Sequence, residues 1–136
     1  MKPTAEIIAI GSELLSGYIV DTNSSHISRI LSLGGIELSF ISAVGDDEEV
    51  IAATVTSALS RSDIVFTTGG LGPTIDDKTR ASVALATDRQ LVFENDLLQQ
   101  IESRFNNWGR KMSENNMRQA YIPDGAIPIE NPVGTA

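Results

Sequence analysis

Residues 67–79 read TTGGLGPTIDDKT, and this stretch decides the fold. Residues 63–67 leading into it, DIVFT, are rich in β-branched and aromatic side chains, enough for one buried strand and too short for a helix. Residues 78–86 after it carry a helical pattern. Strand, glycine-rich turn and helix in that order let backbone N–H groups and a helix N-terminus hold an anion, with phosphate the natural guest. Gly69, Gly70 and Gly72 remove side chains from the turn, which allows positive φ and close approach of the backbone to a ligand. Thr74 and Asp77 stand at capping-box spacing, which predicts Thr74 as N-cap and places the Asp77 carboxylate at the positive end of the helix dipole. Asp76 points roughly 100° away from Asp77 on a helix, so capping uses only one of the two carboxylates. The spare one is a candidate metal ligand, because Mg²⁺ typically bridges one or two carboxylates and phosphate oxygens. The plainer reading is a tight β–α turn whose acids decorate the first helical turn. No Gly-Lys-Ser/Thr follows the glycines and the spacing is not Gly-x-Gly-x-x-Gly, so this is neither a Walker A loop nor a dinucleotide fingerprint.

The chain of 136 residues is the length of one domain. A formal charge of −8 argues against nucleic-acid and anionic-membrane partners, both of which are drawn to basic patches. With no cysteine and a single His26, thiolate chemistry, structural zinc and a His-based triad fall away, leaving oxygen-ligand chemistry. MKPTAE runs straight into a strand pattern without an apolar leader, and no apolar run is long enough to span a bilayer, so the expected location is cytoplasmic.

Along the chain, residues 5–10 form an apolar run suited to a central strand of a parallel sheet. GSELLSG, 11–17, then lies where open α/β sheets place their ligand sites, with Glu13 its only charge: a supporting carboxylate or metal ligand facing the glycine loop, or a plain exposed acid. Asp21-Thr22-Asn23-Ser24 opens a helix over 22–33 that ends at Gly34-Gly35; Asp21 and Asn23 either cap it or reach the cleft. His26 on that helix carries no role. Residues 36–44 read as a strand, and Asp46 with Glu49 predicts a capped helix whose apolar face is Ile51, Val55, Ala58 and Leu59. Of that acidic run only Asp46 is kept as an outside site candidate. Residues 91–93 are a short extended piece, and Leu97 to Trp108 an amphipathic helix. Lys78, Lys111 and Arg118 are the cations to test for phosphate contact. Residues 121–125 signal a turn, with a brief strand expected over 126–129.

Taken together, GSELLSG, Asp21-Thr22-Asn23, TGGLGPT-x-DD-x-T and the closing NPVGTA resemble the N-terminal domain of the CinA (competence/damage-inducible) family, related to the MoaB/MogA-type molybdopterin-binding domain. The resemblance spans the chain. It implies an α/β fold, a three-layer α/β/α sandwich with a mostly parallel sheet, and hydrolysis of an ADP-ribose-like nucleotide diphosphate that depends on a divalent cation (Mg, Mn or Co). The alternative is a non-catalytic molybdopterin- or nucleotide-binding domain. By the same match Gly69, Gly70, Gly72 and Thr74 line the phosphate site, Asp76, Asp77 and Lys78 handle metal and phosphate, and Glu13 and Asn23 complete the cleft. The implied partners are a nucleotide or pterin phosphate and further copies of the chain, as a dimer or trimer. Ser12 stands where the family often has an acid. The family continues past NPVGTA into a further loop and terminal elements, so 1–136 is expected to be a single domain cut at its C-terminal end, without the amidohydrolase domain found in the family.

Overall fold

Strand β1 (Thr4–Ile10) is buried over every residue but Thr4, as its apolar run demands of a strand covered on both faces. The computed structural model describes residues 2–136. A short helix α1 (Ser12–Leu15) lies within the GSELLSG segment, and α2 (Thr22–Leu33) follows, capped by Asp21, whose carboxylate accepts from Ser24 N at 2.9 Å. β2 (Glu37–Val44) returns parallel to β1, α3 (Glu48–Leu59) crosses back, and β3 (Ile64–Thr68) pairs with the other side of β1, also parallel. The order is β2-β1-β3, so the first strand is the central one, as expected.

Alternation along β1 feeds two cores. Ala5 and Ile7 pack with Leu31 of α2, while Ile8 and Ile10 pack with Ile51, Val55 and Ala58 of α3. Helix α4 (Thr79–Ala86) adds Val83 and Ala86 to the α3 side. Helices thus cover both faces of a parallel sheet, the three-layer arrangement predicted. Glu6 breaks the apolar pattern: its fully buried carboxylate is held by Arg61 through two bonds of 3.0 and 2.7 Å, and the guanidinium lies 4.1 Å over the Phe40 ring.

Beyond α4, β4 (Leu91–Phe93) pairs antiparallel with β5 (Tyr121–Pro123), and α5 (Asn95–Asn107) with a 3-10 helix (Glu114–Ala120) lies between them. Three expectations are corrected. Asp46 is not the cap of α3; Asp47 is, accepting from Val50 N at 2.9 Å, while Asp46 takes the Ser12 N–H at 2.9 Å and ties α1 to that corner. The strand expected over 126–129 is absent, because Pro128 has no N–H to donate and Ile127 and Ile129 stand 88% and 91% exposed with nothing to pack on. The strand lies instead at Tyr121–Pro123, inside the predicted turn, since β4 offers it a partner; the turn proper is 124–125. Among the described residues no helix is long and apolar enough to cross a membrane.

Candidate functional site

β3 delivers the glycine loop to the carboxyl end of the parallel sheet, beside the end of β1. Gly69 turns at φ +93°, and a Cβ there would stand 2.1 Å from the Ile10 carbonyl oxygen; Gly70 at φ +66° abuts the Thr79 hydroxyl in the same way, at 2.3 Å. These two glycines therefore seat the loop against β1 and α4. Thr79 Oγ1 donates to Gly69 O at 2.7 Å and Thr79 N to Gly70 O at 3.2 Å. Arg80 continues the series, with Nη1 on Leu71 O at 2.7 Å and Nη2 on Gly72 O at 3.0 Å. Burial lowers the Arg80 pKa from its ordinary value and the charge of Asp77 opposes that shift.

Thr74 is not the N-cap of α4. That helix starts five residues later at Thr79, with Lys78 in the cap position and no side-chain bond there. The reason is Pro73 and the tight turn that follows it: the Asp77 carboxylate accepts from both Thr74 N and Thr74 Oγ1 at 2.7 Å, closing residues 74–77 on themselves before the helix begins. Burial would raise the Asp77 pKa, but the bonds from Thr74 and Gly72 and the charge of Arg80 outweigh it and hold the carboxylate below its usual range. Asp76 next to it is exposed and makes no hydrogen bond among the described residues.

On the other side of the loop a cleft of about 140 Å³ opens between the ends of β1 and β3 and the start of α2. Glu13, Asn23 and Gly69 of the predicted site line it, together with Asp21 and Thr68. Asn23 Nδ2 donates to Thr68 Oγ1 at 3.0 Å, fixing both polar groups at the rim. Gly70, Gly72, Thr74, Asp76, Asp77 and Lys78 do not line this cleft, so the predicted site falls into two parts joined by Gly69. Lys111 and Arg118 are exposed, and among the described residues their side chains make no hydrogen bond or ion pair with the loop. Thr68, Thr79 and Arg80 are the site residues that sequence reasoning missed. Thr79 closes the motif TIDDKT and could have been found there; Arg80 reads as an ordinary first-turn residue and carries no signal.

A divalent cation needs several oxygen donors converging on one point. Among the described residues no three His, Cys, Asp or Glu side chains are placed to hold a metal. Asp77 spends an oxygen on Thr74, and Glu13 lies across the loop in the cleft, which leaves Asp76 as the free carboxylate. A cage of three protein ligands does not fit the described residues, and Mg²⁺ in such sites takes one or two carboxylates with the rest of its shell from phosphate and water.

This parallel sheet with a glycine loop at its carboxyl end defines an α/β domain of the kind that places ligand sites at its strand ends. A family model described as "Probable molybdopterin binding domain" matches residues 6–136. A competence-damage inducible protein of Halothermothrix orenii is 50% identical over 132 residues, and a CinA-like protein of Desulfosudis oleivorans is 46% identical over the same length; each match covers 97% of this chain and 32% of the relative. The crystal structure of CinA from Thermoplasma acidophilum, described there as of unknown function, superposes with a TM-score of 0.90 at 35% identity, covering 98% of this chain and 78% of that one. The tungsten cofactor synthesizing protein MoaB of Pyrococcus furiosus shares the fold, with a TM-score of 0.59 at 23% identity over 79% of this chain and 66% of its own. The chain belongs to this molybdopterin-binding-domain family, among its CinA members. It spans about a third of the length of the two sequence relatives, 32% of each.

Proposed function

We propose that this domain binds a phosphorylated pterin or a nucleotide, with phosphate on the backbone of the TGGLGPT loop and Asn23, Thr68 and Glu13 bordering the rest of the ligand. The observation that supports it is the seating of a glycine loop at the carboxyl end of β3, beside an open cleft, in a chain of the molybdopterin-binding-domain family. Gly69 and Gly70 position the loop, and Asp77 with Thr74 holds its far end. Binding is favoured over turnover because Asp76 and Asp77 do not converge with Glu13. The homo-oligomer belongs to the same reading, supported by the exposed apolar run Tyr18, Ile19 and Val20, of which Tyr18 is 90% exposed.

Hydrolysis of the diphosphate of ADP-ribose or a similar nucleotide is the second reading, and the free carboxylate of Asp76 beside the loop is what speaks for it. A divalent cation would supply charge neutralisation on the phosphate. The test is isothermal titration with ADP-ribose and with inorganic pyrophosphate, followed by assay for AMP with Mg²⁺, Mn²⁺ or Co²⁺. Binding without AMP release establishes the binding domain. AMP formation that disappears in Asp76→Asn moves the conclusion to the hydrolase, and no binding of either compound sinks both.

A further inference from the structure

Two neighbouring residues of α4 hold four consecutive carbonyls of the loop. Thr79 takes Gly69 O and Gly70 O, Arg80 takes Leu71 O and Gly72 O, and the donor in each case lies on the α4 side. Every peptide bond among the described residues is trans. In a trans peptide the N–H of the next residue points opposite to the carbonyl. Turning these carbonyls toward α4 therefore turns the N–H groups of Gly70, Leu71 and Gly72 away from it, and Pro73 has none to add. Gly72 N–H faces the Asp77 carboxylate. The N–H groups of Gly70 and Leu71 meet no acceptor among the described residues.

The geometry points to a carbonyl clamp: Thr79 and Arg80 are positioning residues that lock the peptide planes so that the amides of Gly70 and Leu71 face an incoming phosphate oxygen. Arg80 acts through the loop and does not touch the anion. Its planar fork reaches two adjacent carbonyls at once, which a lysine ammonium cannot reproduce as a rigid pair. Thr79, 2% exposed, does the same with its hydroxyl and its backbone N–H, and Gln119 of the 3-10 helix adds a weaker donor to Leu71 O at 3.4 Å. This inference rests on the phosphate-binding reading for its consequence, though the clamp itself is a property of the unliganded loop.

The experiment is a ¹H–¹⁵N titration of the 136-residue chain with inorganic pyrophosphate, comparing wild type with Arg80→Met, Arg80→Lys and Thr79→Ser under conditions where circular dichroism shows each fully folded. In wild type the Gly70 and Leu71 amides should move most. Arg80→Met and Arg80→Lys should both weaken pyrophosphate about tenfold, the scale expected when a preorganised loop must be ordered on binding. Thr79→Ser, which keeps the hydroxyl, should stay near wild type. Retained affinity in Arg80→Lys would mean that charge on the anion matters and the fork does not, and wild-type affinity in Arg80→Met would mean neither does; each overturns the clamp. If wild type itself ignores pyrophosphate, the functional reading fails, and backbone order parameters over 69–73 then judge the clamp alone. They should drop from about 0.85 toward 0.6 in Arg80→Met, and unchanged values reject it.

Discussion

At Gly69 a single missing methyl decides whether the loop can sit where it does. A Cβ would press into the Ile10 carbonyl at 2.1 Å with φ at +93°, so Gly69→Ala should cost more than about 2 kcal/mol, read as a lowered urea midpoint. The positions of the glycines are legible in the sequence, because only a special turn gathers three of them between a strand and a helix. Their employment is not: the sequence suggests room for a ligand, whereas two of them clear room for Ile10 and Thr79, contacts made only when the sheet assembles. Asp77 offers a second handle. Its pKa is lowered in the folded protein, so its charge stabilises above the unfolded value of about 4 and that contribution drains away as pH falls through the lowered folded value. The gap in urea midpoint between wild type and Asp77→Asn should therefore shrink as pH falls below about 4 and through the lowered folded value. Asp63, lowered by its bonds to Thr4, titrates in the same acid window in both proteins and cancels from the difference.

The elements themselves were read nearly as they stand where period and cap agree, as in α2 with Asp21 at its head. Register within an acidic run was not readable, since Asp46 and Asp47 are chemically alike and only the position of Ser12, brought over by the sheet, assigns them. Asp47→Ala should cost about 1 kcal/mol of stability as a lost cap, while Asp46→Ala should leave α3 intact and loosen α1, seen as faster amide exchange at Ser12. The start of α4 misled for a similar reason. A Thr-x-x-Asp spacing closes a turn as readily as it opens a helix, and Pro73 with the Arg80 bonds selects the turn here. The β4 and β5 pair was half visible: Leu91–Phe93 reads as extended, but its partner lies across α5, and pairing over such a distance leaves no local trace.

For the molecule as a whole, Glu6 shows what pattern alone cannot disclose: a charge inside the most apolar strand, made tolerable by Arg61 arriving from the end of α3. Arg61→Met strands that carboxylate in the core and should destabilise more than the double variant Glu6→Leu with Arg61→Met, a comparison made by thermal melts at pH 7. If copies of the chain associate through Tyr18–Val20, sedimentation of Tyr18→Asp should show a smaller species than wild type, and identical profiles would remove that surface from the assembly. The strand order β2-β1-β3 carries one more consequence. The central strand is the one that needs both of its neighbours, and the second of these ends at Thr68. β1 meets β2 at Thr4 and Glu37 and β3 at Ala5 and Ile64, so every rung along it joins residues remote in sequence, and closing those long loops is what sets the pace at which the sheet can form.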